Sequence, residues 1–294
     1  MTAPLTRAAR LASVVTIFAA AACGDTIGLN GPHDELTADI GATARDEVEA
    51  AVSALTLGTA LTPVGTAQAP AGAESLVFAC VNPSSPDDTD GDGVPDDATY
   101  VFTAPPCRFT GWRGGTLDLV GQFRIQDPFP STAGFGYEAT VTDLRSRFTS
   151  ADSKVIYDVT RNGTRTLSGS TAGLLLTADL QVKRTFAGHP DAAIDKQWAV
   201  DYTPAGPLQI NGALPSGSLD IAGTVDWTRG TTEHYEMVIT TPTPLHYNAD
   251  CTDTVQRIDS GELHAAGTFD GDQGFVRVRW TECGREPSFS FDRQ

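Results

Sequence analysis

From residue 74 to the end of the chain, polar and apolar positions alternate with a period of two. In 116–127, Leu117, Leu119, Phe123 and Ile125 fall on one side, and Asp118, Gln122, Arg124 and Gln126 on the other. Leu174, Leu176, Ala178, Leu180 and Val182 repeat the alternation, as do Leu219, Ile221, Val225 and Trp227. Successive side chains of a strand point to opposite faces, so each run predicts a strand with one buried and one wet face. Residues 137–148, 155–161, 198–202, 235–240, 263–269 and 275–281 read the same way. Between Val141 and Leu144 the apolar set changes phase, which predicts a bulge and not a strand end. Asn162-Gly163 has the composition of a two-residue hairpin turn, 270–274 that of a longer one, and Ser168-Gly169-Ser170 that of a further hairpin.

Upstream the period changes. Val48, Ala51, Val52 and Leu55 recur at three and four residues, which is one apolar stripe of a helix. Thr43 with Asp46 has capping-box spacing and Gly58 is a natural stop, so the pattern predicts a helix over 43–58. Leu36 and Ile40 extend the same stripe back to Asp34, in a version that must enclose Gly41. Residues 58–73, rich in Ala, Gly, Thr and Pro, read as a linker. Consecutive strands joined by short polar turns predict an antiparallel meander, because parallel neighbours need crossover helices. One apolar face per strand requires that the sheet curl on itself or on the helix. The expected fold is therefore mainly β: a long-stranded antiparallel meander forming a curved sheet, half-barrel or barrel, with one N-terminal α-helix. The organisation expected is 1–22 signal peptide, 23–33 tether, 34–73 helix and linker, and 74–294 β domain.

Charge narrows the partners. The chain has 37 acidic and 20 basic residues, a net charge of −17. Nucleic-acid binding needs a basic stripe that releases phosphate counterions, so no nucleic-acid partner is expected. Hydrophobic residues make up 40% of the chain, enough for a real core. With only two Met among abundant Thr, Val, Gly and Pro, the balance favours an extracytoplasmic β-rich protein.

The N-terminus reads as an address. Arg7 and Arg10 precede an apolar stretch over 11–22, long enough for a secretory signal and short for a bilayer span. It ends in Ala20-Ala21-Ala22-Cys23-Gly24. Small residues before a Cys at the cleavage site resemble the lipobox of bacterial envelope lipoproteins. That resemblance implies removal of 1–22, acylation of Cys23 and a membrane partner reached through the lipid. Gly24 stands where inner-membrane retention uses Asp, so the resemblance implies the outer membrane rather than the inner. Around Leu245, Tyr247 and Cys251 the chain also resembles the C-terminal part of uncharacterised β-rich envelope lipoproteins, which brings no activity with it.

Apart from Cys23 four cysteines remain, Cys80, Cys107, Cys251 and Cys283, an even number that reads as two disulfides in an exported chain. Sequence-local pairing, Cys80–Cys107 and Cys251–Cys283, is expected, because each pair flanks one hairpin or loop. Loops of roughly 30 residues closed this way stabilise by about 3.5 kcal/mol each in the chain-entropy description.

The sharpest chemistry lies between Cys80 and Cys107, in Asp87-Asp88-Thr89-Asp90-Gly91-Asp92-Gly93-Val94-Pro95-Asp96-Asp97. Numbered from Asp88, carboxylates fall at positions 1, 3, 5 and 9, with Gly93 at 6 for the sharp turn and the Val94 carbonyl at 7. These are the offsets of a calcium loop, in which alternate carboxylates converge as the chain coils round the ion. Position 12 is Thr99, which lacks the two oxygens of a Glu, and no helices are predicted to flank the loop. The segment therefore resembles a thrombospondin type-3 calcium repeat. The expected cofactor is one Ca²⁺ held by Asp88, Asp90, Asp92, Val94 and Asp96, with the weak affinity of extracellular modules, roughly 10⁻⁴ to 10⁻³ M.

No catalytic spacing emerges. The five His (His33, His189, His234, His246 and His264) form no His-Glu-x-x-His, and no Gly-x-Ser-x-Gly occurs. His234 and Glu236 share a strand face with Val238. Trp112, Trp198, Trp227 and Trp280 mostly fit alternating core positions, with a subset able to line a ligand cavity. No catalytic residue is assigned. The function expected is that of a lipid-anchored, non-enzymatic cell-envelope β-protein with a structural, ligand-binding or partner-binding role. The alternative is a secreted hydrolase acting on polysaccharide or lipid, which calls for a Trp-lined groove with paired carboxylates.

Overall fold

The computed structural model describes residues 34–60, 87–105, 107–110, 115–188, 190–210, 212–231, 233–251 and 257–293. The signal segment, the tether, most of the linker, Cys23, Cys80 and Trp112 lie outside these.

Among the described residues, one helix precedes twelve strands. They are α1 (Asp34–Ala60), β1 (Asp97–Phe102), β2 (Arg108–Thr110), β3 (Thr116–Gln126), β4 (Gly136–Thr149), β5 (Val155–Ser170), β6 (Gly173–Phe186), β7 (Ala192–Pro204), β8 (Gly217–Arg229), β9 (Glu233–Tyr247), β10 (Ile258–Phe269), β11 (Asp272–Trp280) and β12 (Ser288–Arg293). They form one sheet in which β3 to β12 follow in chain order, with β1 and β2 sharing the outer edge of β3. Every pairing is antiparallel. No pairing joins β12 to β1 among the described residues, so of the three expected shapes the sheet takes an open one.

Alternation decides the faces. Along β6 the residues Leu174, Leu176, Ala178, Leu180 and Val182 are buried, while those between them are exposed. β7 continues this inner face with Ile194, Lys196, Trp198, Val200 and Tyr202. The helix fills the hollow. It packs against β11 and β12 on one side and β6 on the other, and it buries Leu36, Ile40, Val48, Ala51, Ala54 and Leu55. Between α1 and strands β7 to β10 lies a cavity of about 40 Å³.

The longer helix is the one that forms. α1 starts at Asp34, so Thr43 is not its cap; its hydroxyl donates to the Asp39 carbonyl one turn back, at 2.7 Å. Gly58 does not stop the helix, which continues to Ala60. Gly41 is tolerated inside because the Phe289 ring of β12 occupies the space of a Cβ.

The bulge between Val141 and Leu144 is present as a register shift against β5. Asn162-Gly163 is not a hairpin: β5 runs through it unbroken. Gly163, at φ 128°, lies opposite Val141, and the Asn162 side chain accepts the Asp143 N–H of the bulge at 2.7 Å. The pair serves a bulge and not a turn. The β5–β6 turn comes at Thr171-Ala172, just past Ser168-Gly169-Ser170. The later hairpin is tighter than expected, a two-residue turn with both Asp270 and Gly271 at positive φ. Cys251 and Cys283 are joined as expected, with Cα atoms 5.9 Å apart. Cys107 is also disulfide-bonded; its expected partner, Cys80, lies outside the described residues.

Candidate metal centre

The acidic loop precedes β1 at the β1–β3 edge. Gly91 and Gly93 take φ of 74° and 92°, left-handed turns that allow the chain to coil back on itself. Asp88 organises the coil, one carboxylate oxygen accepting the Gly91 N–H at 2.9 Å and the other the Gly93 N–H at 3.0 Å. Asp90 accepts the Asp92 N–H at 3.2 Å, and Asp92 the Val94 N–H at 2.8 Å. Carboxylate oxygens of Asp88, Asp90 and Asp92 come within 4.8 Å of one another. Three of the sequence-predicted ligands thus converge.

Asp96 is turned to another task. Its two oxygens accept the Thr89 N–H at 3.0 Å and the Thr89 hydroxyl at 2.6 Å, pinning the start of the loop to its end. Those bonds favour the charged form and lower its pKa. Val94 is buried at the base of the loop.

The segment between β3 and β4, residues 127–135, packs against this coil. The Gly134 N–H donates to the second Asp92 oxygen at 3.2 Å, and the Asp127 N–H donates to the carbonyls of Pro95 and Asp96 at 3.1 and 3.3 Å. Asp92 is only 5% exposed. Burial pushes its carboxyl above the usual range, helped by Asp90 and Asp88 and opposed by the Val94 and Gly134 amides. Asp127 is 9% exposed, and burial raises its pKa as well. In the sequence Asp127 reads only as the last residue of a strand, because no local spacing links it to Asp88. The Asp97↔Gln126 pairing of β1 with β3 is what brings it there.

Two other polar groupings are completed only by packing between elements. On the outer face, ligand atoms of Asp226, His234 and Glu236 approach within 4.8 Å, with His234 Nε2 2.7 Å from Asp226. All three are exposed; they meet because β8 pairs with β9. Under the helix, Lys196 of β7 and Glu47 of α1 form a buried ion pair, the ammonium 4.3 Å above the Trp198 ring. A lone Lys inside an apolar alternation and a Glu on a helix stripe are the only local traces of that pair. Trp227 and Trp280 are core residues as expected.

No family model, curated protein or solved structure matches this chain.

Proposed function

We propose that the chain is an exported, lipid-tethered protein of the cell envelope, with a structural or partner-binding role on its outer surface and one Ca²⁺-binding loop. The observation that carries the role is the occupant of the sheet's hollow. α1 fills the concave side where a carrier holds its ligand, and the cavity between it and β7 to β10 is about 40 Å³, room for little more than water. Contact with a partner or ligand then falls to the outer face. There Thr164, Thr166, Thr177, Asp179 and Gln197 line an open depression of about 450 Å³.

Support for the tether is Ala20-Ala21-Ala22-Cys23 at the end of a signal-like stretch. Two or three acyl chains hold a protein on a bilayer stably, where one does not. No helix of the described residues is long and apolar enough to cross a membrane. Ca²⁺ fits the loop because every offered donor is a hard oxygen. Expressed in a bacterium, the mature protein is expected to begin at acylated Cys23 and to enter the detergent phase, while Cys23→Ser stays in the aqueous phase. Intact mass showing an unmodified Cys23, or cleavage elsewhere, overturns the tether.

A further inference from the structure

The acidic loop lacks the position-12 carboxylate of a calcium loop, and the fold places another carboxylate beside it. Counted from Asp88, position 12 is Thr99, an exposed β1 residue with no carboxylate to offer. Asp127 stands one residue beyond Gln126, the partner of Asp97, and its backbone is bonded to the last turn of the loop through Pro95 and Asp96. One of its carboxylate oxygens accepts the Phe129 N–H at 2.7 Å, which fixes the orientation of the group. The other, Oδ2, is buried and has no hydrogen-bond partner, and Asp90 Oδ2 is in the same condition.

Two orphaned carboxylate oxygens at one junction need an explanation, since buried carboxylates are normally paired, hydrogen-bonded or bound to a metal. No Arg or Lys is paired with either residue among the described ion pairs. The charges that act on Asp127 are those of Asp92, Asp90 and Asp96, all negative. A divalent cation seated between Asp127 and the converging carboxylates of Asp88, Asp90 and Asp92 would meet these needs together: it would pair the orphaned oxygens, cancel the mutual repulsion and use hard oxygen donors alone.

We infer that Asp127 is a fourth carboxylate of the Ca²⁺ site beside Asp88, Asp90 and Asp92, supplied from the end of β3 in place of the missing position-12 ligand. The inference rests on the calcium reading of the loop. It changes what the site does. A loop using only its own residues orders itself, whereas one closed by Asp127 joins the segment before β1 to the β3–β4 connection and locks the edge of the sheet.

The test is calorimetric titration of the full chain with CaCl₂, with melting temperatures recorded in EDTA and in Ca²⁺. Wild type, Asp127→Asn and Asp90→Ala/Asp92→Ala are compared. Asp127→Asn is expected to raise the Ca²⁺ dissociation constant at least about tenfold. It is also expected to melt higher than wild type in EDTA, where it removes a buried unpaired charge, and lower in saturating Ca²⁺. That inversion of sign is what a merely structural or protonated Asp127 does not give. If Asp127→Asn titrates like wild type while the double variant loses Ca²⁺, the loop reading stands and Asp127 is no ligand. If wild type takes up no Ca²⁺, the loop reading fails and this inference with it. Should Asp127→Asn not fold, Asp127→Ser is read in its place, its hydroxyl still able to accept the Phe129 N–H.

Discussion

Gly41 and Phe289 are a lock and key read from two ends of the chain. A Gly in a helix interior costs about 1 kcal/mol relative to Ala, so propensity alone makes Gly41→Ala stabilising. The Phe289 ring reverses the sign, because its atoms sit where a β-carbon would go and either the ring or the helix must move. Gly41→Ala is expected to destabilise by about 1–3 kcal/mol, the usual cost of overpacking. Phe289→Ala in the same chain should remove most of that penalty, as a denaturant double-mutant cycle can check. The Lys196–Glu47 pair obeys a different rule. Lys196 is 2% exposed, and burial pushes its ammonium down to about 7. Lys196→Met alone leaves Glu47 buried without its cation and is expected to cost about 3–5 kcal/mol; Lys196→Met/Glu47→Leu should come close to wild type. pH adds a sign. A Lys with a depressed folded pKa binds fewer protons folded than unfolded, so its penalty on folding fades as pH rises from about 7 towards its ordinary 10.5. Wild type should therefore gain on the double variant across that window, in urea melts at pH 7 and pH 9.5. An unchanged or falling difference contradicts the pKa assignment.

At the scale of elements, the Cys251–Cys283 bridge ties the end of β9 to the end of β11 and spans all of β10. Removing both sulfurs, Cys251→Ser/Cys283→Ser, is expected to lower stability by about 3.5 kcal/mol. Wild type in reductant should match the variant, measured by chemical denaturation with and without a phosphine. The strands it braces are legible in the sequence because each carries its own alternation: Leu174 to Val182 and Leu219 to Trp227 announce one buried face without help from neighbours. β1, β2 and β12 are not, since strands of six, three and six residues hold too few periods to stand out from a loop. The longer helix shows as a stripe from Leu36, but Gly41 argues against it, and the reason Gly41 is there, the ring of Phe289, lies almost 250 residues away. Asn162-Gly163 misleads because the residues that make a type I′ turn also suit a strand crossing its neighbour's bulge. The same split runs through the metal centre. Asp88, Asp90 and Asp92 follow a local spacing that the sequence displays; Asp127 depends on strand register, which it does not.

Over the whole molecule, sheet and helix differ in how far along the chain their partners lie. Each strand from β4 to β12 pairs with the strand just before it, so the sheet can grow hairpin by hairpin with little loop entropy at each step. α1 is the exception: it docks on β11 and β12, more than 200 residues later, as well as on β6. Until most of the sheet exists, the helix has no complete hollow to enter, and its 27 residues gain little from propensity alone. Docking of α1 should therefore be the last step of folding, and its release the first step of unfolding. The hollow and helix nevertheless share one core, with Leu55, Val48 and Trp227 in a single buried cluster, so at equilibrium they should melt together. The prediction has two halves. Val48→Ala is expected to cost about 1–2 kcal/mol, most of it as faster unfolding with the refolding rate nearly unchanged, which stopped-flow chevrons resolve. Helix ellipticity and Trp fluorescence should still fall in one transition at equilibrium. Slowed refolding would place α1 in the folding nucleus. A helix that melts before the Trp signal moves would mean that α1 is a detachable lid over the hollow, and the surface-binding role proposed for the outer face would lose its main support.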